Sequence, residues 1–193
     1  LATKKKENLE KSLTKILKKK FSVEKRSLLK VFTENNCIPM DSFPYALNEI
    51  SVVRKDTTSM INVKTSLDGT YVNSYWSDGL IVSTTTGSTG YSLSCGGPVI
   101  SPTSNSLVLT PISPHNLNAR PLVISDSTKI EISVSGREDF HLLSIDAKIF
   151  TINNETKIYV EKSDFDIQVA NINNYNFYKT LKDKLLWGKD KRN

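Results

Sequence analysis

Five of the eight glycines in this sequence, Gly79, Gly87, Gly90, Gly96 and Gly97, fall between positions 79 and 97, in a stretch running from Asp78 to Pro98. Glycine is the residue of choice where the backbone needs unusual geometry or must pass close to another group. Eight of the twelve residues from Ser83 to Ser94 are Ser or Thr. Backbone N–H groups freed of side chains approach a phosphate closely, and small hydroxyls donate to and accept from phosphates, ribose or a base edge. A loop so polar and yet uncharged suits a nucleotide better than an acidic or an apolar ligand. The competing reading is a Ser/Thr-rich surface loop with turn glycines.

Three further positions interrupt apolar surroundings. Asn48-Glu49 splits a strand-like pattern of Tyr45-Ala46-Leu47 followed by Ile50, Val52 and Val53, Asp78 precedes Gly79, and Asp146 follows Leu142, Leu143 and Ile145. Alone, each is an ordinary turn or edge carboxylate; beside the glycine loop they have the chemistry to accept and donate at vicinal hydroxyls. Known catalytic motifs do not fit. The loop has no Gly-Lys-Ser/Thr closure, no Gly-x-Gly-x-x-Gly order, and Gly87-Ser88-Thr89-Gly90 is not a nucleophile elbow. A serine hydrolase built from Ser88 or Ser92 with His115 finds no favouring spacing. His115 and His141 stand apart, as structural or surface residues rather than metal ligands. Cys37 and Cys95 form no Cys-x-x-Cys pair, so the thiols are read as buried or idle in a reducing compartment.

These residues need elements to hold them. The spacing of Leu9, Leu13, Ile16 and Leu17 predicts an amphipathic helix from Thr3, its N-cap, to about Lys20. After Phe21 the segments Ser27 to Thr33, Tyr45 to Lys55, Met60 to Leu67, Thr70 to Trp76 and Leu80 to Thr84 read as strands. So do 106–110, 120–124, 128–135, 140–151, 156–160 and 165–170. Asp68-Gly69 is a two-residue hairpin signal and Asn153-Asn154 another turn. Phe177 to Trp187 returns to helical spacing and stops at Gly188. The expected class is α+β but mainly β, an antiparallel two-sheet sandwich with flanking helices.

Charge narrows the partners. The net charge of +6 divides into +8 for residues 1–30, +4 for residues 179–193 and −6 for the rest. An acidic body with basic ends is not a nucleic-acid groove, which would run Lys and Arg through the fold with aromatics interleaved. No apolar run approaches the roughly 18 residues of a membrane span. The expected partners therefore exclude nucleic acid and membrane, and the expected location is the cytoplasm.

Several strings together carry a resemblance. They are Ala46-Leu47-Asn48-Glu49, Asp78 to Thr84, Thr86-Gly87-Ser88-Thr89-Gly90-Tyr91-Ser92-Leu93-Ser94, Gly96-Gly97-Pro98, Leu109-Thr110-Pro111, Pro114-His115 and Ala119-Arg120-Pro121. In order and spacing they resemble the C-terminal part of bacterial NAD kinases, from Leu1 through Trp187-Gly188. The resemblance implies a two-domain enzyme, with a Rossmann-like N-terminal domain and a β C-terminal domain, that transfers the γ-phosphoryl of ATP, with Mg²⁺, to the adenosine ribose 2′-hydroxyl of NAD⁺. It implies that Asn48 and Glu49 hold the adenosine ribose region, and that Thr89, Gly90, Tyr91, Ser92, Leu93 and Ser94 line the base subsites. Asp78 would serve the dinucleotide across an interface of a homodimer or homotetramer. Thr86, Trp76, Ser113 and Lys148 match weaker NAD-binding positions.

The family's Gly-Gly-Asp-Gly motif, whose aspartate activates the 2′-hydroxyl, occurs nowhere in these residues. With the start at Leu1, this reads as a C-terminal piece without a catalytic residue of its own. Residues 1–30 would be the terminal helix and linker of the missing domain, 31–172 the NAD-binding β domain, and 173–193 a helical tail. The chain departs from the family at Thr85, Gly90, Ala147 and Trp76, the last where a longer polar or basic residue is frequent. Two alternatives stay open: a lipid-kinase-like phosphotransferase, and a non-catalytic β module that binds a nucleotide or a protein.

Overall fold

A computed structural model describes residues 9–35, 38–39, 42–56, 59–154, 156–172 and 176–186. The chain divides into two compact units, Ser27–Asp166 and a second made of Leu1–Arg26 with Ile167–Asn193.

The first unit is built on two six-stranded sheets. Its strands are β1 (Ser22–Thr33, which begins in the other unit), β2 (Tyr45–Ala46), β3 (Glu49–Arg54), β4 (Ile61–Leu67), β5 (Thr70–Ser77) and β6 (Gly79–Thr84). A 3-10 turn (Gly87–Thr89) and the short helix α2 (Tyr91–Ser94) follow. Then come β7 (Ser106–Ile112), β8 (Leu122–Ser125), β9 (Ile130–Ser135), β10 (Phe140–Ile145), β11 (Lys148–Asn153) and β12 (Ile158–Asn171), the last continuing into the other unit. One sheet runs β2-β1-β12-β9-β4-β5 and the other β11-β10-β3-β6-β7-β8. The mainly β, two-sheet expectation is the architecture found.

Alternation places the core. Leu29 and Val31, Ile61 and Val63, Ile130, Ile132 and Val134, and Ile158 and Val160 face inward from the first sheet. Ile50 and Val52, Leu80 and Val82, Leu107 and Leu109, and Leu143 and Ile145 answer from the second. Period-two burial of this kind fixes register, because a one-residue slip would turn each set outward. β6 is buried along its whole length, as expected of a central strand covered on both faces.

The Asp68-Gly69 turn between β4 and β5 takes φ of 49° and 78°, the two positive values its sequence predicted. Other boundaries differ from the sequence reading. Residues 140–151 are not one strand: Asp146, at φ 49°, turns the chain between β10 and β11. Tyr45 to Lys55 breaks at Leu47 and Asn48 into β2 and β3, and 156–170 is essentially the single strand β12.

In the second unit, α1 spans Leu9–Leu17 and buries no residue, so its apolar stripe lies at the surface. α3 spans Phe177–Leu185; the Asn176 side chain caps it by accepting the Lys179 N–H at 3.0 Å, and Leu186 ends it at φ 57°. Thr3, Cys37, Trp187 and Gly188 lie outside the described residues.

Candidate functional site

Antiparallel register brings the chemistry together. β3 lies between β10 and β6, with Glu49 opposite Ser83 and Ile50 opposite both Val82 and Ile145. The start of β3 therefore sits between the end of β10, where Asp146 stands, and the end of β6, where Thr84 leads into the glycine loop. Residues far apart in sequence converge on one corner, Leu47-Asn48-Glu49.

Both sides of that corner are fixed through its main chain. The Asp146 carboxylate accepts the N–H groups of Leu47, Asn48 and Glu49 at 2.8, 2.9 and 3.0 Å. On the other side the Thr84 hydroxyl donates to the Leu47 carbonyl at 2.6 Å, and the Thr84 N–H donates to the Asn48 carbonyl at 2.9 Å. The same hydroxyl oxygen accepts the N–H groups of Thr86 and Gly87, both at 3.1 Å, which curls the loop over the corner. A Cβ on Gly87 would stand 2.0 Å from the Asn48 carbonyl oxygen, so only glycine lets loop and corner touch.

One carboxyl in this corner lacks a partner. Glu49 Oε2 is buried without a hydrogen bond, as are Ser83 Oγ and Thr86 Oγ1 nearby in sequence and register. Burial pushes the Glu49 carboxyl up, and the charge of Asp146 pushes it further in the same direction. A buried acceptor in want of a donor marks a place where a ligand hydroxyl or a water fits. Gly90 lies beside it: a Cβ there would be 3.3 Å from Glu49 Oε2.

The loop hydroxyls divide into structural and exposed sets. Ser88 is fully buried, donating to the Thr85 carbonyl at 2.8 Å and accepting the Ile100 N–H at 3.1 Å. The Ser92 hydroxyl is equally buried and bonded to that of Thr110 at 2.8 Å, so it braces the loop from inside. Thr89, Gly90, Tyr91, Leu93 and Ser94 retain surface. The Tyr91 ring is about half exposed, and its hydroxyl is pushed up by burial first, then by the Cys95 thiol and by Asp78.

Asp78 occupies the other end of β6, six residues and roughly 20 Å from Thr84 at about 3.4 Å per residue. It pairs with Arg54 at 3.2 Å, an ion pair that no sequence pattern announced. The Trp76 side chain is half exposed, and its main-chain N–H donates to Asn116 Oδ1 at 2.8 Å. Ser113, at φ 45°, and Lys148 are both exposed. The predicted positions thus gather into the Asn48, Glu49, Thr86 and Gly90 corner, the exposed face of α2, and the Asp78–Trp76 end. Among the described residues no three His, Cys, Asp or Glu converge as a metal site.

Comparison with known proteins shows which family the chain resembles. A family model for the ATP-NAD kinase C-terminal domain matches residues 47–172. NAD kinases from Flavobacterium psychrophilum and Christiangramia forsetii are 53% and 55% identical over the whole chain, which spans 66% of the length of each. The structure of an Archaeoglobus fulgidus NAD kinase in complex with ATP superposes with a TM-score of 0.75 and 31% identity, covering 93% of this chain and 66% of that one. Yeast NADH kinase complexed with NADH has the same fold, at TM-score 0.83 and 24% identity, over 95% of this chain and 54% of that one.

Proposed function

Because this chain belongs to the ATP-NAD kinase C-terminal domain family, we propose that it forms the dinucleotide-binding part of an enzyme that moves the γ-phosphoryl of ATP to the adenosine ribose 2′-hydroxyl of NAD⁺. The observation that carries this reading is the unpartnered Glu49 oxygen, held beside Gly90 in a corner whose main chain is fully engaged. A ribose hydroxyl donating to that oxygen would make a charge-assisted bond, stronger than a neutral one. Asn48, next in the corner, supplies an amide for the same ribose region.

The loop would supply the base subsites. Thr89, Gly90, Leu93 and Ser94 offer a polar, uncharged rim, Tyr91 offers an aromatic face for stacking, and Ser92 holds the segment from within. Thr86 and Trp76, Ser113 and Lys148 would act at the periphery, Lys148 as an exposed cation for a phosphate. Asp78 would meet the dinucleotide bound by a neighbouring subunit of a homodimer or homotetramer in the cytoplasm. Among the described residues no helix is long and apolar enough to cross a membrane.

Phosphoryl transfer rests on positioning and on neutralising charge. The residues here fit the positioning half: they hold the ribose and exclude competing orientations. They do not build a cage for Mg²⁺, which in this reading arrives with ATP. Activation of the 2′-hydroxyl is assigned to the Gly-Gly-Asp-Gly segment, which these residues do not contain.

Calorimetric titration with NAD⁺ and, separately, AMP tests the reading. The chain is expected to prefer NAD⁺, and both Glu49→Ala and an Asp78→Ala, Tyr91→Ala double variant to weaken binding by about tenfold or more. Equal response to NAD⁺ and AMP, or NAD⁺ binding that ignores all three substitutions, would reject it.

A further inference from the structure

Asp146 directs its whole carboxylate at main chain. Oδ2 accepts the Leu47 N–H and Oδ1 accepts those of Asn48 and Glu49, while the Asp146 N–H donates back to the Glu49 carbonyl at 3.0 Å. Three consecutive N–H groups aimed at one anion form a concave backbone receptor of the kind that elsewhere binds phosphate. Here the receptor is filled from within by a side chain 97 to 99 residues away.

That filling explains the shape of the corner. Successive N–H groups of an extended strand point to opposite sides, so three that converge cannot belong to one, and β2 and β3 separate at this point. Asp146 itself takes φ 49°, a left-handed conformation in which Asp and Asn are well tolerated, and which turns its side chain back from the β10–β11 hairpin onto β3. With the N–H groups committed to Asp146 and the Leu47 and Asn48 carbonyls to Thr84, the backbone is immobilised from both sides. The orientation of the Asn48 and Glu49 side chains follows from that backbone.

We propose that Asp146 is a positioning residue for the dinucleotide site: it touches no ligand, but by binding three successive N–H groups it sets the backbone that aims Asn48 and Glu49 at the ribose. The inference rests on the dinucleotide reading above and adds to it a residue outside the loop and the Asn-Glu pair. Three geometric facts support it: the bonds lie at full hydrogen-bonding distance, 2.8 to 3.0 Å, they are confined to residues 47–49, and the Glu49 oxygen they present is buried and unpartnered.

The test uses the full chain with Asp146→Asn, Asp146→Gly, Glu49→Ala and the Asp146→Gly, Glu49→Ala double variant. Two quantities are read for each, amide hydrogen exchange at Leu47, Asn48 and Glu49, and affinity for NAD⁺. Gly keeps the left-handed turn and removes the carboxylate, so all three amides should exchange on the order of tenfold or more faster, with NAD⁺ affinity down about tenfold. Asn keeps one acceptor oxygen and tolerates the same φ, so only Leu47 should lose protection, with a smaller loss of affinity. In the Glu49→Ala background Asp146→Gly should cost several-fold less affinity than it does alone, which a general loss of stability would not produce.

Protected amides in Asp146→Gly would overturn the proposal, as would open amides with unchanged NAD⁺ affinity, or equal costs in the two backgrounds. A parent chain that binds no NAD⁺ overturns the dinucleotide reading and the aiming role built on it. The amide result, read without ligand, then still decides for or against Asp146 as the residue that holds the corner.

Discussion

Glu49 is badly placed for stability. Its folded-state pKa lies above the ordinary glutamate value, through burial first and the Asp146 charge second. The folded chain therefore holds this proton more tightly than the unfolded chain, so this carboxyl's contribution falls as pH rises through the interval, and the full cost stands above the raised value. Glu49→Gln should raise Tm by a few degrees near pH 8, show no gain near pH 4, and weaken NAD⁺ about tenfold; melts across that range measure it. Equal shifts at both ends would mean the charge is not the source. Gly87 makes a second prediction, since a Cβ would fall 2.0 Å from the Asn48 carbonyl oxygen. Gly87→Ala should cost roughly 1–3 kcal/mol in denaturant midpoints, and an unchanged midpoint would show that the loop does not rest on the corner. The glycine spacing and the Asn-Glu interruption were legible in the sequence because both break a local pattern. Asp146 was legible as a candidate for vicinal hydroxyls, but its carboxylate is taken up by three main-chain N–H groups, partners that carry no sequence signal.

Among the elements, strands were legible where burial alternates and misread where a polar residue turns the chain. The Asp146-Ala147 turn lacks the glycine that made Asp68-Gly69 readable, so 140–151 looked continuous. β2 and β3 looked continuous for a related reason: the break at Leu47-Asn48 is imposed by bonds from other strands. β10 also carries His141, fully buried, with Nδ1 bonded to Asn154 at 3.0 Å and Nε2 without a partner. Burial lowers its pKa, against a smaller raising effect from Asn154. Unfolded histidine takes a proton near pH 6.5, so the contribution of this neutral ring is complete above that value and is lost as pH falls towards the lowered one. Urea midpoints of the parent should therefore decline from about pH 6.5 downward more steeply than those of His141→Leu. Parallel declines would place the acid sensitivity elsewhere.

For the whole molecule, the sequence showed two basic ends around an acidic body, and the fold gives that pattern a physical boundary. Both ends fall in one compact unit of formal charge +11, while Ser27–Asp166 carries −5 and the entire candidate site. What no pattern showed was which distant segments meet. The chain spans 66% of the length of the Flavobacterium psychrophilum and Christiangramia forsetii NAD kinases and contains no Gly-Gly-Asp-Gly. Incubated alone with NAD⁺, ATP and Mg²⁺ it should form no NADP⁺; formation above a heat-treated control would place the hydroxyl-activating group within these residues. The Leu47–Asp146 contact closes a loop of 99 residues, and loops of that length are slow to close and reward the chain late. Synthesised from its N-terminus, the corner waits for nearly a hundred further residues before the carboxylate that locks it exists. The corner therefore cannot be completed by the first half of the chain alone, and any delay in making the second half leaves its three N–H groups without their carboxylate.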